Sequence, residues 1–246
     1  MFRRNVFVSL TLTLLAAASL VSAQRRPAEY LQTITLDVRA GATEGFENYV
    51  KKIVEAAKET GNEPHWAMFQ TTMGHSARRY MAVFYFNQWG EVDAWGTLQE
   101  NLAEAYGEDE AKQILRTGSA TLESIDNRVF TLLPEHSTKL DQFKGLAPHY
   151  FVVETTVGFD KITDYEALLA RRAEAGNKHA GAPMAIRRRA LVGPGATYVT
   201  SLPLTKMGDF DQWPSPSKIL EDAYGVDEAR RLREINRNCV ETRDIY

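Results

Sequence analysis

Hydrophobic and polar positions alternate from Tyr30 to Val38, with Ile34, Leu36 and Val38 on one side, a pattern that predicts a β-strand. Phe46, Val50, Ile53, Val54 and Ala57 then recur at the spacing of one helix face. Pro64–Thr72 and Arg79–Phe86 read as two strands, with Gly74-His75-Ser76 as the hairpin loop between them. A helical region ends in Asp109–Ile125, and Arg128–Leu133 is a short last strand. The second half repeats this order. Thr163-x-x-Glu166 has the form of a capping box, Leu168, Leu169 and Ala173 give the helix an apolar face, and Gly176 stops it. Strands Met184–Val192 and Thr197–Leu204 flank Gly193-Pro194-Gly195. The helix Asp227–Glu241 and the strand Thr242–Tyr246 follow.

The two halves also share residues. Trp95, Leu102, Ala105, Tyr106, Gly107, Asp109, Glu110 and Ala111 recur 118 positions later as Trp213, Leu220, Ala223, Tyr224, Gly225, Asp227, Glu228 and Ala229. Chance matching over that window gives about one identity at ordinary residue frequencies. The chain is therefore one α/β unit written twice. Strand, helix, strand, strand, helix, strand is the ferredoxin-like order, an α+β class, in which helices cover only one face of a four-stranded sheet. Tyr80–Phe86 and Trp66–Phe69 are apolar on both faces, so the uncovered face needs a second sheet. The expectation is an intrachain α+β barrel formed by two tandem ferredoxin-like βαββαβ repeats packing sheet to sheet. The first repeat spans residues 24–133, a linker 134–148 and the second repeat 149–246.

This order, the repeat length and the Trp…Tyr-Gly helix opening resemble the dimeric α+β barrel superfamily, in particular its antibiotic-biosynthesis-monooxygenase-like and NIPSNAP-like branches. The resemblance is architectural. It implies a pocket inside the barrel and, by analogy with its members, cofactor-free oxygenation or isomerisation. Chlorite dismutase-like proteins also pair two such halves and hold haem through a histidine, which makes His179 the candidate axial ligand in a haem-binding alternative.

Met1-Phe2-Arg3-Arg4-Asn5, the uncharged run Val6–Gln24 and the small residues Val21-Ser22-Ala23 form a charged start, an apolar middle and a small-residue exit. That is the pattern of a cleaved signal peptide, residues 1–23. The apolar run is shorter than the ~20 residues of a spanning helix, so no membrane association is expected after cleavage. The exported protein is expected in the periplasm or outside the cell. Cleavage removes two arginines and no acid, moving the formal charge from −3 to −5. An acidic chain is a poor partner for nucleic acid. The lone Cys239 forms no intrachain disulfide, shares a helix face with Ala229 and Leu232, and reads as a small core residue.

Candidate chemistry comes from differences between the halves. Where the first has Met68-Phe69-Gln70, the second has Arg187-Arg188-Arg189. Strand alternation puts Arg187 and Arg189 on one face and Arg188 on the other. Whichever face is interior, an arginine there calls for an anionic partner. The expected ligand-binding residues are Arg187 and Arg189, with His65 and Trp66 as further polar handles; solvated or salt-bridged arginines are the competing reading. The histidines His65, His75, His136, His149 and His179 lack zinc-site spacing, and no nucleophile motif is present. These observations point to a monomer or homodimer binding a small, partly apolar molecule without a cofactor. A non-catalytic interaction protein and a haem protein remain the alternatives.

Overall fold

The computed structural model describes residues 26–61, 66–72, 78–192 and 196–246. The signal-peptide pattern, His65, His75 and the two proposed hairpin loops at Gly74-His75-Ser76 and Gly193-Pro194-Gly195 lie outside the described residues.

The first repeat contains β1 (Tyr30–Val38), α1 (Thr43–Glu59), β2 (Trp66–Gln70), β3 (Arg79–Phe86), α2 (Trp89–Asp93), α3 (Leu98–Tyr106), α4 (Glu108–Ala120) and β4 (Leu122–Leu132). The second contains β5 (His149–Val157), α5 (Ile162–Lys178), β6 (Ile186–Val192), β7 (Ala196–Leu204), α6 (Pro216–Tyr224), α7 (Val226–Cys239) and β8 (Val240–Ile245). Two local expectations change. Leu122–Ile125 continues no helix: it opens β4, paired with β1 from Val38↔Leu122 onward. Thr163 is no cap, because α5 already starts at Ile162, after Lys161 and a 3-10 turn at Phe159–Lys161.

All eight strands form one antiparallel sheet in the order β2-β3-β1-β4-β6-β7-β5-β8. Each repeat supplies a ferredoxin-like quartet, and the quartets are joined edge to edge where β4 pairs with β6 from Val129↔Val192 to Leu132↔Arg188. The sheet curls until its two inner faces meet. Leu31, Val83 and Phe130 of the first repeat form one buried cluster with Val199 of the second. The Phe69 and Tyr150 rings meet edge-on at 5.4 Å. Inside the barrel, Arg128 forms an ion pair with Glu154 across the repeats, and Tyr246 Oη donates to Glu154 Oε2 at 3.1 Å.

The helices cover the outer face of each quartet. In the first repeat Val38, Phe46, Val50 and Tyr80 pack between sheet and α1. In the second, Val157, Tyr165, Leu168, Leu169, Tyr198 and Leu232 do the same, with Cys239 buried among them. The duplicated residues have duplicated structural jobs. Tyr106 Oη donates to the Lys52 carbonyl at 3.1 Å and Tyr224 Oη to the Arg171 carbonyl at 3.0 Å, each tying the short helix of its repeat to the long one. Gly107 and Gly225 break the paired helices at φ of 83° and 81°, a backbone region open to glycine.

Candidate functional site

The inner face of β6 carries Ile186, Arg188 and Ala190, because Arg188 pairs with Leu132 on one side and Val199 on the other. Leu31 and Thr33 of β1, Val83 and Tyr85 of β3 and Phe130 of β4 line the same interior. Between them lies a chamber of about 310 Å³, lined from both repeats and also by Pro27, Ala28, Phe143, Leu146 and His149. The stretch between the repeats thus also supplies part of the wall. The volume is at the lower end of the range for small-molecule sites.

Among the described residues that line the chamber, Arg188 is the side chain with a permanent charge, and it is only 3% exposed. Its Nη2 donates to the Ala28 carbonyl at 3.0 Å, while its Nε is buried without a hydrogen-bond partner. No carboxylate among the described residues forms an ion pair with it. Burial pulls its pKa below the usual arginine value, against the smaller opposing pulls of Tyr85, Tyr150 and the more distant carboxylate of Glu29. Desolvation raises the pKa of both tyrosines, so both keep their protons. Tyr150 Oη accepts the Ala147 amide at 3.0 Å, and its own proton is left to donate.

The expected pair of arginines lies on the other face. Arg187 Nη1 donates to the His136 carbonyl and lies 3.5 Å from Thr138 Oγ1, outside the barrel wall; burial and Arg172 pull its pKa down to about 10. Arg189 Nη1 donates to Glu166 Oε1 of α5 at 2.9 Å. The physical reason is register: the β4–β6 ladder turns the middle residue of the triplet inward. Trp66 likewise faces the helices, packed on the Val38–Phe46–Tyr80 cluster with Phe84 at 6.2 Å. The residue with the buried, half-satisfied guanidinium, Arg188, had been named in the triplet, but alternation alone could not select its face. Tyr85 and Tyr150 carried no sequence signal beyond strand membership.

His179 is similarly committed elsewhere. It follows the last turn of α5, accepts the Gly181 amide on Nδ1 at 3.2 Å and places Nε2 3.3 Å from Asp222 Oδ2. It does not line the chamber, so it does not fit the role of an axial haem ligand there. No group of three or more metal-ligating side chains occurs among the described residues.

No protein-family model matches the chain, and no curated protein matches it. Solved structures do. A candidate monooxygenase from Lactobacillus acidophilus NCFM superposes with a TM-score of 0.50 at 10% identity, over 89% of this chain and 91% of that one. An anthrone oxidase-like protein gives 0.50 at 13% identity, over 89% and 90%. A variant chlorite dismutase from Candidatus Nitrospira defluvii gives 0.49 at 9% identity, over 89% and 90%. At such identities the likeness is one of fold. The chain has an α+β-barrel fold, in which two tandem ferredoxin-like repeats close around a chamber lined by both.

Proposed function

We propose that the chamber binds a small, partly apolar molecule through an oxygen-bearing group seated on Arg188, and that it supports cofactor-free oxidation or isomerisation of that molecule. The observation that carries this reading is the buried guanidinium itself. A charge taken out of water costs several kcal/mol unless it is paired, and Arg188 has one backbone carbonyl and an unpartnered Nε. A bound oxygen acceptor supplies the missing partner. Phe69, Phe130 and Val199 supply apolar walls for the rest of the ligand. Apolar walls that limit water around the guanidinium also strengthen its interaction with charge developing on a substrate oxygen. The monooxygenase-like neighbours share this architecture, which makes cofactor-free chemistry the reading to test first.

The signal-peptide pattern supports export of the same protein, with a mature start at Gln24. Native mass spectrometry of the protein purified from its own compartment reports that start and any retained ligand together. Arg188→Met is expected to weaken binding of the retained molecule about ten- to hundredfold, the worth of a charge-assisted hydrogen bond. Unchanged affinity in a folded Arg188→Met variant refutes the proposal.

A further inference from the structure

Resting on that reading of the chamber, we infer that its ligand arrives already ionised: a monoanionic organic acid, one or two rings in size, held as the carboxylate by Arg188 and the Tyr150 hydroxyl.

Three observations converge. First, among the described residues lining the chamber there is no aspartate, glutamate or lysine, and Arg188 is the single fixed charge. One buried guanidinium balances one negative charge; a dianion would leave a second charge unpaired in an apolar enclosure. Second, the titratable groups nearest the guanidinium are proton donors, and His149 is the one basic side chain elsewhere in the described lining. Tyr85 and Tyr150 hold their protons because burial penalises the phenolate. The inner-face carboxylate Glu154 is engaged by Arg128 and by Tyr246 Oη at 3.1 Å, and Asp126 Oδ2 lies 2.7 Å from Arg128 Nε. Third, the surroundings of the guanidinium are apolar: Leu31, Phe130 and Val199 are each at most 6% exposed. In such surroundings a carboxylate on Arg188 is worth far more than a neutral amide in the same place.

The selection is therefore by charge state, with shape secondary. The purified chain is titrated by calorimetry with benzoate, benzamide, 2-naphthoate, 2-naphthamide and naphthalene-2,3-dicarboxylate. The expected result is a carboxylate that binds about ten- to hundredfold more tightly than its amide, with the dicarboxylate weaker than 2-naphthoate. In Arg188→Gln the gap between acid and amide closes. An amide that binds wild-type protein as tightly as its acid overturns the inference and leaves the chamber as a ligand site. Failure of all five to bind overturns the chamber reading and the inference with it. The acid–amide comparison is made on wild-type protein, so it stands even if Arg188→Gln does not fold.

Discussion

Tyr80 and Tyr198 occupy equivalent positions on the two outer faces, and each donates its hydroxyl proton at 2.9 Å to a glutamate of its own long helix, Glu47 or Glu166. Burial and the neighbouring carboxylate raise both tyrosine pKa values well above the usual 10. The pairs differ in their further partners. Tyr80 Oη also accepts Gln70 Nε2 at 3.2 Å, whereas Glu166 keeps Arg189 if its tyrosine is lost. Tyr80→Phe therefore removes the hydrogen bond that Glu47 accepts, whereas in Tyr198→Phe Glu166 still accepts one from Arg189. The expected losses of stability are about 1–2 kcal/mol for the first and about 0.5–1 kcal/mol for the second. Urea denaturation with an unchanged m-value measures both; equal losses would show that Arg189 gives Glu166 no independent hold. These partners also explain what was legible at the level of residues. The recurrence of Tyr80 and Tyr198 at a fixed offset was visible in the chain. Their glutamates were not, because the first helices match at a different offset and side-chain pairing across a helix–sheet interface leaves no local pattern.

At the scale of elements, periodicity located most strands and helices because each buries one face. Tyr30–Val38 and Arg79–Phe86 have the bounds that alternation predicts. The misses have physical causes. Leu122–Ile125 carries helix-compatible residues, but pairing with β1 from Leu122 to Thr131 overrides that local preference. The facing of Arg187, Arg188 and Arg189 depends on strand register, which is a property of two strands and the irregularity between Val129 and Phe130. Helix contacts are likewise tertiary. Gly118 of α4 lies so close to α1 that an added Cβ would stand 2.4 Å from Tyr49 Cδ2. Gly118 has an ordinary helical backbone, so its need is for space and not for conformation. Gly118→Ala is expected to destabilise the protein by about 1–3 kcal/mol, as overpacking does, despite alanine's better helix propensity. Thermal denaturation decides the sign: a stabilised variant would mean that α1 and α4 separate freely.

At the scale of the whole molecule, the chamber belongs to neither repeat. It is lined by β1, β2, β3 and β4 of the first and by β5, β6 and β7 of the second. The same inner faces hold the molecule together, through the shared cluster of Leu31, Val83, Phe130 and Val199, the four-residue ladder of β4 with β6, and the Arg128–Glu154 ion pair. A repeat alone would expose that apolar face, lose the ladder and break the Arg128–Glu154 ion pair. Apolar sheet faces of this kind do not stay in water as monomers. Residues 26–133 and 149–246, produced separately, are therefore expected to self-associate or to remain unfolded. Produced together as two chains, they are expected to recover a one-to-one complex. Sedimentation velocity distinguishes these states, and ligand titration of the complex adds a second reading. The affinity that depends on Arg188 should return only when the first repeat, which supplies Tyr85, Phe130 and the Ala28 carbonyl, is present. A second repeat that is a stable monomer and binds the ligand unaided would place the site within one half, and the duplication would then serve some purpose other than enclosure.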